Sequence, residues 1–269
     1  DGDATDLLNQ IHAEKSKLIA DGKIKPEKPL PTIQPEEIPF DIPQNWTWCR
    51  LGEVCEIYTG NSISESEKKS KYLDLAEGFN YIGTKDVSFD NKIDYDNGVK
   101  IPFKNNFRRA LKGSVLLCIE GGSAGRKIAL TDREVCFGNK LCNFYSETIS
   151  NKYIYFYLQS PAFRKNFYDN LSGMIGGVSI KKLNLIPICL PPLAEQERIV
   201  ALLDKILPEV EQLAEAESEL DALQKNFPRQ IKNSILQDAI QGKLTKQLST
   251  DGDATDLLNQ IRAEKNKLI

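Results

Sequence analysis

Histidine is the usual general base at neutral pH, and the chain has one, His12. A near-copy of the surrounding segment carries Arg262 in its place. A residue on a polar helix surface therefore fits better than half of a Ser–His or Cys–His pair. The six cysteines (Cys49, Cys55, Cys118, Cys136, Cys142 and Cys189) form no C-x-x-C pair. Most lie in apolar runs such as residues 115–119, which reads as buried free thiols in a reducing cytoplasm. Zinc needs clustered Cys and His, and none is present. No G-x-x-x-x-G-K-[ST] phosphate loop occurs either. Leu190-Pro191-Pro192-Leu193 lacks the Asn or Asp and the aromatic of an adenine-methyltransferase loop. Glu67-Lys68-Lys69 lacks a nuclease aspartate before it and reads as a solvated loop. No catalytic residue, metal site or bound cofactor is expected.

What remains is chemistry suited to phosphate. The net charge is −3, but residues 100–127 carry seven Lys/Arg against Glu120 alone, while residues 204–221 carry seven acids against Lys205. A polyanion would meet the first segment and avoid the second. Gly121-Gly122-Ser123-Ala124-Gly125-Arg126-Lys127 is a glycine-rich basic turn. Its backbone amides suit a DNA phosphate, and a plain β-turn explains it equally well. Residues 172–182 form a second glycine-rich stretch ending in Lys181 and Lys182. The expected DNA contacts are Arg108, Arg109, Arg126, Lys127, Lys181 and Lys182, with Ser123 and Lys140 beside them. Arginine can read guanine bidentately, whereas lysine mainly neutralises phosphate.

The elements that position these residues are marked by a repeat. Residues 1–19 and 251–269 agree at seventeen of nineteen positions, differing only at His12/Arg262 and Ser16/Asn266. A period this long suggests two large halves joined by similar connectors, although a gene rearrangement would leave the same mark. Each copy reads as a helix capped by Thr5 or Asp6, with Leu7, Leu8, Ile11, Leu18 and Ile19 on one face. Prolines 26, 29, 31, 35, 39 and 43 make residues 21–45 an extended linker. Residues 46–190 are mixed, with strands expected at 54–58, 81–82, 115–119, 127–130 and 143–145 and helices at 151–159 and through Phe163 and Phe167. The start at Asp1-Gly2-Asp3 carries no signal-peptide pattern, and no apolar run is long enough to span a membrane.

From residue 193 the pattern becomes a heptad. Ile199, Ile206, Leu213, Leu220 and Phe227 recur every seven residues, and Leu203, Val210 and Ile231 fill the alternate seam position. Glu217 and Gln224 interrupt that seam. A helix over 193–241 would be roughly 75 Å long and must pair with another long helix. Pro208 should kink it or remove one hydrogen bond, Pro228 is a second weak point, and Gly242 is a natural stop.

Several blocks together resemble the specificity subunits of type I restriction–modification systems. Ile42-Pro43-Gln44-Asn45-Trp46-Thr47-Trp48, Leu51-Gly52-Glu53-Val54 and Tyr58-Thr59-Gly60 look like the opening of a target-recognition domain. Tyr81-Ile82, Lys85-Asp86-Val87 and 111–116 are similar to its next blocks, and 186–200 (IPICLPPLAEQERIV) to the boundary that ends it. The resemblance implies a mixed α/β (α+β) target-recognition domain at 46–190 and a long antiparallel coiled-coil helix region at 191–248. Conserved helical segments at 1–20 and 251–269 and the linker at 21–45 flank these. It implies a non-catalytic reader of one half of a split DNA site. Methyltransferase subunits, carrying S-adenosylmethionine, and a restriction subunit would dock on it. With one recognition domain, the chain is a half-length subunit that dimerises or a portion of a longer one. The alternatives are a coiled-coil adaptor that reads no DNA and a stand-alone nuclease.

Overall fold

Strand-forming residues between Thr47 and Leu190 build three sheets in the computed structural model, which describes residues 2–22, 28–173 and 176–267. Pro26 of the linker, Met174 and Ile175 of the second glycine-rich stretch, and the outermost repeat residues lie outside these. The chain divides into two units, one ending at Asp204 and one beginning at Lys205.

In the first unit, β1 (Thr47–Arg50) pairs antiparallel with β10 (Pro187–Leu190), joining the two ends of the recognition segment. A four-stranded antiparallel sheet runs β2 (Glu56–Thr59), β9 (Leu141–Tyr145), β6 (Val115–Cys118), β7 (Ile128–Leu130). The other runs β4 (Lys100–Ile101), β3 (Phe79–Ile82), β8 (Val135–Phe137), β5 (Arg109–Ala110), with β3 and β8 parallel. Strand β6 is buried on both faces, and its period of two sorts its side chains into different cores. Val115 and Leu117 join a core with the helices, whereas Leu116 and Cys118 face Ile82, Ala110, Val135 and Phe137 of the second sheet. Tyr81 and Cys136 turn to that sheet's other face. All six cysteines are free and buried, as expected.

Helices α4 (Asn151–Tyr157) and α5 (Pro161–Asp169) cover the first core with Tyr153, Ile154, Tyr157, Phe163 and Phe167. Ser150 and Ser160 cap them through their side-chain oxygens. Among the described residues no helix is long and apolar enough to cross a membrane.

Several local expectations change. Helix α1 (Ala4–Ala20) is capped by Asp3, whose carboxylate accepts from the Thr5 amide at 2.7 Å, not by Thr5 or Asp6. Asp is as good a cap as Thr, and this placement also lets Ala4 be buried. Val54 closes the short helix α2 (Leu51–Val54), so the strand begins later, at Glu56. Glu67 ends a helical turn, α3 (Glu65–Glu67), and pairs with Lys71 at 3.0 Å, so this stretch is an ordered turn and not a plain loop. The linker is held to the domain by Arg50, through Glu37 and the Pro31 and Thr32 carbonyls.

Helix α6 (Ile180–Asn184) precedes β10, and α7 (Leu193–Ile240) follows it. Pro208 and Pro228 both lie inside α7, which continues through them without the backbone hydrogen bond that each proline cannot donate. The first layer of the heptad, Ile199, packs partly against the domain's own core, and Leu203 is half-buried. In the second unit Ile206, Val210, Leu213, Leu220, Phe227 and Ile231 are all exposed along the helix. Helix α8 (Ala254–Lys267) is the second copy of α1.

Candidate nucleic-acid interface

The two glycine-rich stretches meet. Gly121 donates its amide to Gly176 at 2.9 Å, Val178 donates to Ile119 at 3.1 Å, and Glu120 bridges Gly177. The second stretch, with Ile119 and Glu120 just before the first, lines a cavity of about 560 Å³ that includes Ser172 and Ser179. Within the first stretch, the amides of Ala124, Gly125, Arg126 and Lys127 go to Gly121, Cys118, Ser123 and Ser123 carbonyls. The β-turn reading accounts for those amides, and Ser123, half-buried, is its hinge. Gly125 has φ +73°, and a Cβ there would lie 2.9 Å from the Phe167 ring, so only glycine fits.

Arg126 and Lys127 both leave this turn against one exposed aromatic. The Arg126 guanidinium carbon is 5.3 Å, and the Lys127 Nζ 5.1 Å, from the Phe89 ring centre. Like Phe103, Phe89 is 61% exposed. It sits at the tip of a turn closed by the Ser88 amide on the Lys92 carbonyl at 2.9 Å. Asp90 in that turn is held down to about 2 by the Ser88 hydroxyl and Lys92. Lys127 also donates to the Thr84 carbonyl at 2.9 Å, and Arg126 to that of Gly122, which fixes both side chains over the ring.

Arg108 and Arg109 form a second group on the β4–β3–β8–β5 sheet. Arg108 donates to the Thr59 carbonyl at 3.0 Å, and its amide donates to Asn61 Oδ1 at 2.7 Å. Arg109 pairs with Glu134 at 2.9 Å and lies 5.1 Å from the Phe79 ring centre. Exposed Phe103 packs edge-on against Phe79. The neighbouring Tyr58 hydroxyl donates to the Arg109 carbonyl, and burial pushes Tyr58 up to about 12. Gly60 in this region is required by crowding, since a Cβ would fall 1.9 Å from the Phe137 carbonyl oxygen.

The remaining lysines differ in their availability. Lys140 is 3.6 Å from Glu120 at the rim of the glycine cavity. Lys181 is exposed on α6. Lys182 is half-buried, and its ammonium donates to the Asn170 carbonyl at the end of α5, so it serves the fold first. The exposed pairs to Glu120 and Glu134 are worth roughly 0–1 kcal/mol, so a phosphate can take either cation at little cost. Phe89, Phe79 and Phe103 escaped the reading of the sequence. A lone Phe between polar turn residues carries no periodic signal, and only the fold sets it beside the arginines.

Two ties anchor this domain to its flanks. Arg50, 3% exposed, donates to both Glu37 oxygens and to the Pro31, Thr32 and Leu185 carbonyls. Gln196, fully buried at the start of α7, accepts from the Ser150 amide at 3.0 Å and donates to the Pro191 carbonyl at 2.9 Å. Glu195 beside it accepts from the Trp46 indole at 3.0 Å. The PPLAEQ block is thus the joint between the sheet and the long helix.

The sequence profile of the type I restriction modification DNA specificity domain matches residues 43–220, well over half of the chain. The chain belongs to that family. Relatives include the type I restriction enzyme EcoAI and EcoEI specificity subunits of Escherichia coli, 27% and 26% identical over the whole of this chain. The chain spans about half the length of these relatives, 52% of each. The fold is shared with a chain from a structure of type I R-M system complex assembly, at 24% identity and TM-score 0.58. That match covers 89% of this chain and 54% of the other. It is shared also with the HsdS subunit of Thermoanaerobacter tengcongensis, at 24% identity and TM-score 0.53, over 89% and 53% of the two chains. The match to the specificity domain begins at Pro43, just before the Trp46–Glu195 contact, and runs into α7. The joint and both cation groups therefore lie inside it.

Proposed function

We propose that this specificity domain reads one half of a bipartite DNA site and does no chemistry itself. The observation that carries the reading is the cation-flanked Phe89 beside the two joined glycine stretches, inside the region matched by the specificity-domain profile. Arg126, Lys127, Arg108 and Arg109 contact bases and phosphates, and Ser123, Lys140, Lys181 and, more weakly, Lys182 contact phosphates. The exposed apolar seam of α7, from Ile206 to Ile231, pairs antiparallel with a second long helix. In a half-length protein a second copy supplies that helix. Burial of each seam side chain contributes roughly 1.5–3 kcal/mol, so leaving the row in water is strongly unfavourable. Methyltransferase subunits, which hold the S-adenosylmethionine, and a restriction subunit assemble on this scaffold in the cytoplasm.

Duplex binding over a salt series, with and without methyltransferase subunits, tests this reading. Sequence-dependent binding with a steep salt slope is expected. Binding with no sequence preference would favour the adaptor reading, and cleavage by the chain free of other subunits would favour the nuclease.

A further inference from the structure

Residues 86–94 form a short antiparallel hairpin with Phe89 at its tip. The Asp94 amide donates to the Asp86 carbonyl at 2.8 Å, the Ser88 amide to the Lys92 carbonyl at 2.9 Å, and Val87 bridges Ile93. Val87 is fully buried, and Ile93 packs against the same core. The Ser88 hydroxyl closes the tip, accepting from the Lys92 amide at 3.1 Å. Asn91 takes the left-handed conformation, φ +62°, that a three-residue tip needs, and its side-chain amide donates to Gln159 Oε1 at 3.3 Å. At the base, buried Asp86 accepts from the Gly83 amide at 2.8 Å. The tip is therefore carried on a fixed two-stranded ribbon.

The major groove of B-DNA is wide enough for such a ribbon. Arg126 and Lys127 against Phe89, with Lys92 beside them, suit the phosphates on its rims. Yet the tip also carries an acid. The Asp90 side chain is 62% exposed and lies 3.0 Å from the Lys92 Nζ. The other acids of the hairpin are engaged within the fold, Asp86 on Gly83 and Asp94 on the Asp96 amide at 2.9 Å. A carboxylate facing a polyanion lowers affinity, and the loss is offset where it meets a base amine. Ser88 and Lys92 keep Asp90 ionised at neutral pH, so it only accepts. In the major groove adenine pairs its amine with the N7 acceptor, which a carboxylate cannot satisfy, whereas cytosine presents its N4 amine alone. With about four acceptor positions, a carboxylate is not exhausted by one lysine.

We propose, resting on DNA reading by this domain, that the 86–94 hairpin enters the major groove and that Asp90 reads a cytosine by accepting from its N4 amine. Phe89 and its two cations set the depth of the tip, and Asp90 supplies the choice of base.

Wild type, Asp90→Asn and Lys92→Ala, each with methyltransferase subunits, are compared by selection from a random duplex pool and by competition at every selected position. Wild type should select a motif with one C·G pair at which replacement lowers affinity roughly 5- to 150-fold. In Asp90→Asn that discrimination should fall to about twofold or pass to adenine, which an amide matches, while the other positions keep theirs and non-specific affinity rises. Lys92→Ala keeps the carboxylate and should keep the cytosine. An unchanged motif in Asp90→Asn, or an equal loss at all positions as from a residue that only holds the turn, would overturn the proposal. So would a wild-type motif of A·T pairs alone, or loss of the cytosine in Lys92→Ala. A wild-type pool that yields no motif would instead sink DNA reading itself, and the role of Asp90 with it.

Discussion

Arg126 lies over the face of Phe89, its guanidinium carbon 5.3 Å from the ring centre, and Lys127 shares the same ring at 5.1 Å. An exposed cation–ring contact is worth about 0.5–1 kcal/mol. Its larger value here is positional, since it holds two cations at the tip of one surface. Phe89→Ala should therefore weaken duplex binding by roughly two- to fivefold without changing the salt slope, because no charge is removed. Arg126→Ala or Lys127→Ala should lower the slope by about 1 for each phosphate left without its cation. Binding isotherms over a salt series separate the two. A Phe89→Ala change that flattens the slope would place the ring's role elsewhere.

The Arg50–Glu37 pair is a second testable joint. Arg50 is buried with five hydrogen bonds, so removing it takes a charged donor from three carbonyls and from Glu37. Arg50→Ala should cost about 1–3 kcal/mol of stability, read as a lower denaturation midpoint, since Glu37 is partly exposed and its charge is screened by solvent. The Arg50 guanidinium holds the Glu37 carboxyl below its ordinary value of 4.5. A lowered folded-state value means the pair stabilises above pH 4.5 and loses that contribution as pH falls through the folded value. Wild type should then lose stability in acid faster than Glu37→Gln. Parallel curves for the two proteins would contradict this assignment.

Gln196 joins the long helix to the domain through the Ser150 amide and the Pro191 carbonyl. Gln196→Leu keeps the volume but leaves both groups buried without partners. The expected loss is about 2 kcal/mol in urea unfolding. A stability within error of wild type would show that the joint is held by Trp46 and Glu195 alone.

The α7 seam gives a prediction about assembly. Leu213 and Leu220 are 60% and 54% exposed on the same face of one helix. Leu213→Asp with Leu220→Asp should shift the mass in solution from a pair to a single chain, with the domain's own unfolding unchanged. A wild-type chain that stays single at high concentration would rule out self-pairing through this seam.

The long helix was legible because its seven-residue period runs for many turns. Core strands such as β6 were legible because their apolar runs are continuous. The two-residue strands β4 and β5 were not, since their pairing with β3 and β8 is set by distant partners and not by local composition. The candidate site was half legible. Charge and glycine marked Arg126, Lys127 and the two loops, but their meeting through Gly121 and Gly176 depends on the sheet. Phe89 gave no signal at all. Lys182, marked by its neighbours, also donates to the Asn170 carbonyl at the end of α5, a contact no local pattern announces.

The central claim is that this domain reads sequence. Selection from a random duplex pool, using the chain with its methyltransferase subunits, tests it most directly. The account predicts enrichment of one short motif, appearing as two inverted copies around an unread spacer if the chain self-pairs. Enrichment should disappear when Arg108, Arg109, Arg126 and Lys127 are replaced by Ala. A pool that binds tightly yet returns no enriched sequence would contradict the account.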